Sequence, residues 1–299
     1  IYWNVTINTS EFTDRKFNIS VTANDTAGNT NTTAVFLSTL TFDSTKPSEI
    51  NVTSGQTNRG NYSGTRIFNF SVLDATAGIK YVFFNITNLS VGSQTNSSIN
   101  ASRPSSIYWN GTIITNSYAD GVYNITVWAN DSAGNLNNSF VLHTVRFDNT
   151  IPSEINITSS HSNRSNYSRS IELNFSVVDS TSGGGALWVN VTNQSGSIIR
   201  SAINATNPSS IYWNVSINTS DYTDGVFNIS VTANDTAGNT RTNIIEFSNL
   251  RFDNTIPTEI NNTNTTGIFA RTNHSGTLML NITLIDATSG GGEIWVNIT

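Results

Sequence analysis

The sequence predicts an all-β chain, a tandem array of antiparallel β-sandwiches with about seven strands each, and three observations carry that prediction. A thirteen-residue stretch occurs three times, as FNISVTANDTAGN from Phe17, YNITVWANDSAGN from Tyr123 and FNISVTANDTAGN from Phe227. The copies start 106 and 104 residues apart, the length of a small domain and far longer than a solenoid or propeller repeat. Short apolar runs alternate with Gly, Asn, Ser and Asp clusters along the whole chain, and no segment carries a helical period.

The repeated stretch reads as a half-buried strand. In the third copy Phe227, Ile229, Val231 and Ala233 alternate with Asn228, Ser230, Thr232 and Asn234, so one face meets a core and the other meets water. The polar face holds Asn228-Ile-Ser230 and Asn234-Asp-Thr236, both acceptor sequences for N-glycosylation.

Aligned on Ile-Tyr-Trp-Asn at Ile1, Ile107 and Ile211, the chain starts in mid-repeat. Residues 1–46 are expected to form the C-terminal half of a domain, 47–150 and 151–256 two complete domains, and 257–299 the N-terminal half of another. Each repeat ends on the same punctuation: Phe42-Asp-Ser-Thr-Lys-Pro47, Phe147-Asp-Asn-Thr-Ile-Pro152 and Phe252-Asp-Asn-Thr-Ile-Pro257. Proline cannot donate to a ladder and restricts the residue before it, so a sheet stops there and a short, stiff linker begins.

Within 151–256 strands are expected at 155–158, 171–178, 186–192, 198–202, 211–217, 226–233 and 244–252. By parity Trp3, Trp109 and Trp213 point into a core, whereas Trp188 and Trp295 share the outer face with Asn190 and Asn297. Leu280, Ile282 and Leu284 match Leu173, Phe175 and Val177, and Thr299 matches Thr192, 18 residues short of the next Ile-Tyr-Trp-Asn. Two half-domains with open strand edges need completion, either by covalent continuation of a longer chain or by strand donation from copies of itself.

Composition narrows the function. At 36% apolar content, 299 residues can bury sizeable cores, while 11% charged residues, a net charge of −6 and a pI near 4.9 leave no basic face for nucleic acid or an anionic membrane. The absence of cysteine excludes a disulfide framework and thiolate chemistry. No apolar run approaches eighteen residues, so neither a membrane span nor a signal peptide is expected within these 299 residues.

No residue reads as catalytic, and the chain is expected not to be an enzyme. His143, His161 and His274 sit at non-equivalent repeat positions, and the Gly183-Gly-Gly185 and Gly290-Gly-Gly292 runs, flanked by strands, read as tight turns.

The chain holds 32 Asn-x-Ser/Thr acceptor sequences, more than its composition alone explains. They recur at equivalent places, as Asn18, Asn124 and Asn228; Asn24, Asn130 and Asn234; and Asn69, Asn174 and Asn281. These nine are the candidate glycosylation sites, and N-linked glycans are the only added groups the residues themselves suggest. Neighbouring acceptors such as Asn85 and Asn88 compete for space.

Three ordered motifs recur in each repeat: Asp-Thr-Ala-Gly-Asn, the terminal Phe-Asp-x-Thr-x-Pro, and Asp179-Ser-Thr-Ser-Gly183 with its counterparts at Asp74 and Asp286. Together they resemble the Ig-like tandem repeats of bacterial and archaeal cell-surface adhesins, surface-layer proteins and filament proteins, over the full chain. The resemblance implies Ig-like sandwiches, an extracellular or cell-surface location and a structural role as filament, stalk or envelope layer; dense acceptor sequences without cysteine resemble archaeal envelope proteins in particular. An adhesin stalk whose binding module lies elsewhere is the alternative, and accessory repeats of a secreted enzyme a third. The resemblance also implies Ca2+ at the domain junctions, through Asp43, Asp148 and Asp253 with Asp25, Asp131 and Asp235 as further ligands. Against it, each aspartate can simply cap a turn through its own backbone.

Overall fold

Two-residue alternation becomes strand along nearly all of the chain in the computed structural model, which describes residues 2–209, 211–262, 275–277 and 279–299. His274 lies outside the described residues. The contacts divide the chain into two units, Ile1–Thr150 and Ile151–Thr299.

The first unit opens with an antiparallel hairpin, β1 (Arg15–Asn24) and β2 (Thr30–Phe42). Eight strands follow: β3 (Glu49–Val52), β4 (Asn61–Tyr62), β5 (Thr65–Leu73), β6 (Ile79–Asn88), β7 (Ser93–Asn100), β8 (Tyr108–Ile114), β9 (Gly121–Asp131) and β10 (Leu136–Phe147). They form a three-stranded sheet, β3-β5-β8, and a five-stranded sheet, β4-β10-β9-β6-β7, in which β4 alone runs parallel to its neighbour. This is an Ig-like sandwich with an early strand that switches sheets to pair with the last. A second hallmark is Tyr123 near the start of β9, whose hydroxyl donates to the Ala119 carbonyl at 2.7 Å and closes the turn below it.

The core between the sheets comes from one parity of each strand. Phe68, Phe70, Val72, Trp109 and Ile113 of the small sheet meet Val82, Phe84, Ile86, Ile125, Val127 and Phe147 of the large one, all buried. Asn124, Thr126, Trp128 and Asn130 on β9 face outward and are only half-buried.

The second unit repeats the design with β11 (Glu154–Ile157), β12 (Asn166–Tyr167), β13 (Ser170–Val178), β14 (Gly184–Asn193), β15 (Ile198–Asn204), β16 (Thr206–Ser209), β17 (Tyr212–Asn218), β18 (Gly225–Asp235) and β19 (Thr240–Phe252). The sheets are β11-β13-β17-β16 and β12-β19-β18-β14-β15. All seven expected strands are present, and two short ones are added, β12 and β16. A two-residue strand carries no measurable alternation, and Pro208 disguises β16 as a loop. The unit closes with the short pair β20 (Glu259–Asn262) and β21 (Ile282–Ile285).

One core assignment needs correction. Trp109 and Trp213 are buried as expected, but Trp3 is 88% exposed. Residues 2–8 form no strand, and residues 2–46 bring just the two-stranded β1–β2 sheet with them, so nothing covers the ring.

Candidate functional site

The recurrent aspartates are turn caps first. Asp131 Oδ1 accepts the backbone N–H of Ala133, Gly134 and Asn135 at 2.7–2.9 Å, while Asn135 Nδ2 donates to Asp131 Oδ2 at 2.8 Å. The cage needs a left-handed residue, supplied by Gly134 at φ 102°. Asp25 and Asp235 cap their own turns in the same way. Asp25 stays exposed, with its carboxyl held below the usual range chiefly by Asn29. Asp74 Oδ1 caps Thr76 and Gly78, Asp179 caps Thr181 to Gly183, and Asp286 caps Thr288 to Gly290. Gly183 and Gly290 are therefore turn glycines, with φ near 80°.

The linker aspartates share this habit. Asp43, Asp148 and Asp253 are buried, and each Oδ1 accepts the N–H two residues on, from Thr45, Thr150 and Thr255 at 3.1–3.2 Å. The linkers are also held by the loop before β9 or β18. Asn149 N–H donates to Asp120 Oδ1 and Asn254 N–H to Asp224 Oδ1, both at 2.8 Å.

At the first linker the following sandwich grips as well. Ala77 N–H donates to Asp43 Oδ2 at 3.0 Å, Asn135 Nδ2 to the Asp43 carbonyl at 3.1 Å, and Asn137 Nδ2 to the Pro47 carbonyl at 2.6 Å. This brings Asp43, Asp74 and Asp131 together, with one carboxylate oxygen from each within 4.8 Å of the other two. Burial pushes the Asp43 carboxyl above its ordinary value, and the negative charges of Asp74 and Asp131 add to the shift. None of the three makes an ion pair with a basic side chain among the described residues.

Three carboxylates beside the linker backbone suit a hard divalent cation, and Asp74 Oδ2 accepts from no donor among the described residues. Asp43 and Asp131 were both named as candidate ligands, without being paired; Asp74 was legible only as a turn motif, since the three residues are brought together from three separate loops. At the last linker Ser289 N–H bridges Asp253 Oδ2 at 3.0 Å and Asp286 Oδ1 at 2.8 Å.

The candidate glycosylation residues divide by what holds their amides. Asn18 Oδ1 accepts from Thr39 N–H, Asn124 Oδ1 from Thr144 N–H and Asn228 Oδ1 from Asn249 N–H, at 2.8–2.9 Å. Asn69 is half-buried and its Nδ2 donates to Ser54 Oγ at 2.6 Å. Asn130 Nδ2 donates to the Tyr81 hydroxyl at 2.7 Å, and the Oδ1 atoms of Asn130 and Asn234 are buried. Asn174 is half-buried on β13, and Asn24 and Asn281 are exposed. The outer face of the first large sheet adds an aromatic group, Phe83 stacked on Trp128 with centroids 5.6 Å apart.

The terminal segments expose side chains that the complete sandwiches bury. Trp3 is 88% exposed against 4% and 5% for Trp109 and Trp213, and Val5 84% against 0% for Val215. At the other end Val296 and Ile298 are 57% and 97% exposed where Val189 and Val191 are at 0%. The backbone shows the same deficit. β14 is held by β18 and β15, yet its counterpart at 291–299 forms no strand, while β1, the counterpart of β18, pairs among the described residues with β2 alone.

No protein-family model and no curated protein matches the chain. Among solved structures the chain is similar to the fibronectin(III)-like modules of Clostridium thermocellum CbhA, at 15% identity over 69% of this chain and 94% of that one (TM-score 0.38). It is similar to a marsupial T cell receptor at 7% identity over 72% and 77% (TM-score 0.40). The sialic acid binding region of a Streptococcus sanguinis adhesin matches at 15% identity over 75% and 81% (TM-score 0.23). No helix among the described residues is long and apolar enough to cross a membrane.

Proposed function

We propose that the protein is a structural element of an extracellular filament, stalk or envelope layer. Its Ig-like modules repeat end to end, each terminal half-sandwich completed by continuation of a longer chain or by strands of another copy, and its outer faces carry N-linked sugar. The observation that carries this reading is the paired deficit of the two ends: 257–299 holds front strands without a back, and 2–46 holds back strands without a front. Each exposed apolar side chain there is worth about 1.5–3 kcal/mol when buried. A handful of them, added to a restored strand ladder, offsets the cost of association.

Sedimentation velocity of the isolated chain is expected to show species growing with concentration, and Val5→Asp, which puts a charge into the completed core, is expected to leave monomers. A wild-type chain that stays monomeric at all concentrations, with its ends protected from proteolysis, refutes the reading.

The junction carboxylates fit the same function. A divalent cation held by Asp43, Asp74 and Asp131 removes their mutual repulsion and stiffens the linker. Ca2+ at a hundredfold excess over its dissociation constant is expected to stabilise the first unit by about 2.7 kcal/mol. Asp74→Asn keeps the turn cap through Oδ1 but removes one charge, so it is expected to raise the cation-free melting temperature and blunt the response to Ca2+. If the aspartates are turn caps alone, melting curves with and without Ca2+ superimpose for both proteins.

A further inference from the structure

Five acceptor asparagines among the described residues share one device. Asn18, Asn85, Asn124, Asn190 and Asn228 each lie opposite a two-residue bulge, where the pairing register skips the asparagine. In each case Oδ1 accepts the N–H of a left-handed bulge residue: Thr39, Ser98, Thr144, Ala202 and Asn249, with φ between 52° and 60° and distances of 2.8–3.0 Å. The bulge takes that N–H out of the ladder and the side chain satisfies it. An amide is planar, so holding Oδ1 against the neighbouring strand leaves Nδ2 on the opposite edge of the group. In all five, Nδ2 has no acceptor among the described residues.

We infer that these five clamped asparagines are the preferred carbohydrate attachment sites, two of them, Asn85 and Asn190, outside the nine that recurrence points to. The inference rests on the glycosylation reading and sharpens it. A clamp requires only asparagine, yet the residue two places on is Ser or Thr in all five: Ser20, Thr87, Thr126, Thr192 and Ser230. The hydroxyls of Ser20, Thr87, Thr126 and Ser230 make no hydrogen bond among the described residues, so packing does not call for them.

The chemistry is compatible with the clamp. Nδ2 bonds to the anomeric carbon of a sugar carried on a lipid phosphate or pyrophosphate donor, the carbon–oxygen bond to phosphate breaks, and the phosphate leaves with the bonding pair. One Nδ2 proton passes to a base of the transferring enzyme. The carbonyl Oδ1 is unchanged, so the bulge stays capped and the first sugar is held in a fixed direction.

Other acceptors are committed elsewhere. Asn137 is 5% exposed, with Nδ2 donating to the Pro47 carbonyl, and the Nδ2 atoms of Asn69 and Asn130 are bonded to Ser54 and Tyr81.

Glycopeptide mapping of the native protein tests this. Sugar is expected on the five clamped residues, with Asn69, Asn130 and Asn137 bare. In a glycosylating host, Thr126→Ala is expected to lose one glycan from the Asn124 peptide without lowering the melting temperature of the enzymatically deglycosylated protein, whereas Asn124→Ala loses both. Occupancy at Asn69, Asn130 and Asn137 equal to that of the five overturns the inference and leaves glycosylation standing. Sugar at none of the 32 acceptors overturns both.

Discussion

Gly111→Val is expected to cost the first sandwich about 3 kcal/mol, the upper end of the range for overpacking a filled core. Gly111 is buried on β8, and a Cβ built there would overlap the edge of the Phe84 ring at Cε2. The second sandwich solves the same contact differently, with Val189 and Val215 at the equivalent positions, both fully buried. One repeat fills the space with a ring and a glycine, the other with two isopropyl groups. Phe84→Val alone is expected to cost about 2–4 kcal/mol by leaving a cavity. The double variant, which installs the second repeat's pair in the first, is expected to return to within about 1 kcal/mol of the parent, a coupling at the top of the range for neighbours. Denaturant unfolding checks it, with the second unit as internal reference. Additive losses would show that the two sandwiches do not share an interchangeable core.

This pair shows what the sequence could and could not reveal. A strand puts alternate residues on opposite faces, so Gly111 shares the inward face of Trp109 and Val215 that of Trp213. That the two pairs are volume-matched required knowing that β6 of one sheet lies over β8 of the other, a contact set by the closing of the sandwich.

The bulges were hidden for a related reason. Asn124 reads as an ordinary outward polar residue, and its bulge lies on β10, twenty residues away. There the buried positions Leu142, Val145 and Phe147 break the two-residue spacing, as do Phe247, Leu250 and Phe252 on β19. A three-residue gap at the same place in two repeats is a readable sign of a bulge. The aspartate cluster left only a weaker sign, since Asp43, Asp74 and Asp131 belong to different turn motifs and only the closed sandwich with its linker joins them. Trp3 was placed in a core by parity and is exposed, because burial requires a partner sheet.

Completion of the terminal halves is the centre of the account, and it can be tested by register. In the second sandwich β13 pairs with β17 so that Leu173 lies opposite Val215. The equivalent residues at the two ends of the chain are Leu280 and Val5. Paired antiparallel residues have Cα atoms about 4.5–5.5 Å apart, within disulfide range. The chain has no cysteine of its own, so a Leu280→Cys, Val5→Cys double variant has one defined partner for each thiol. Mild oxidation is expected to convert it into a ladder of covalent multiples of the 32.4 kDa chain, dispersed by reductant. The Leu280→Cys, Thr6→Cys control, one residue out of register and on the opposite face, is expected to stay monomeric. Monomers from both variants, or equal ladders from both, would contradict the completion of one chain's front half by another's back half.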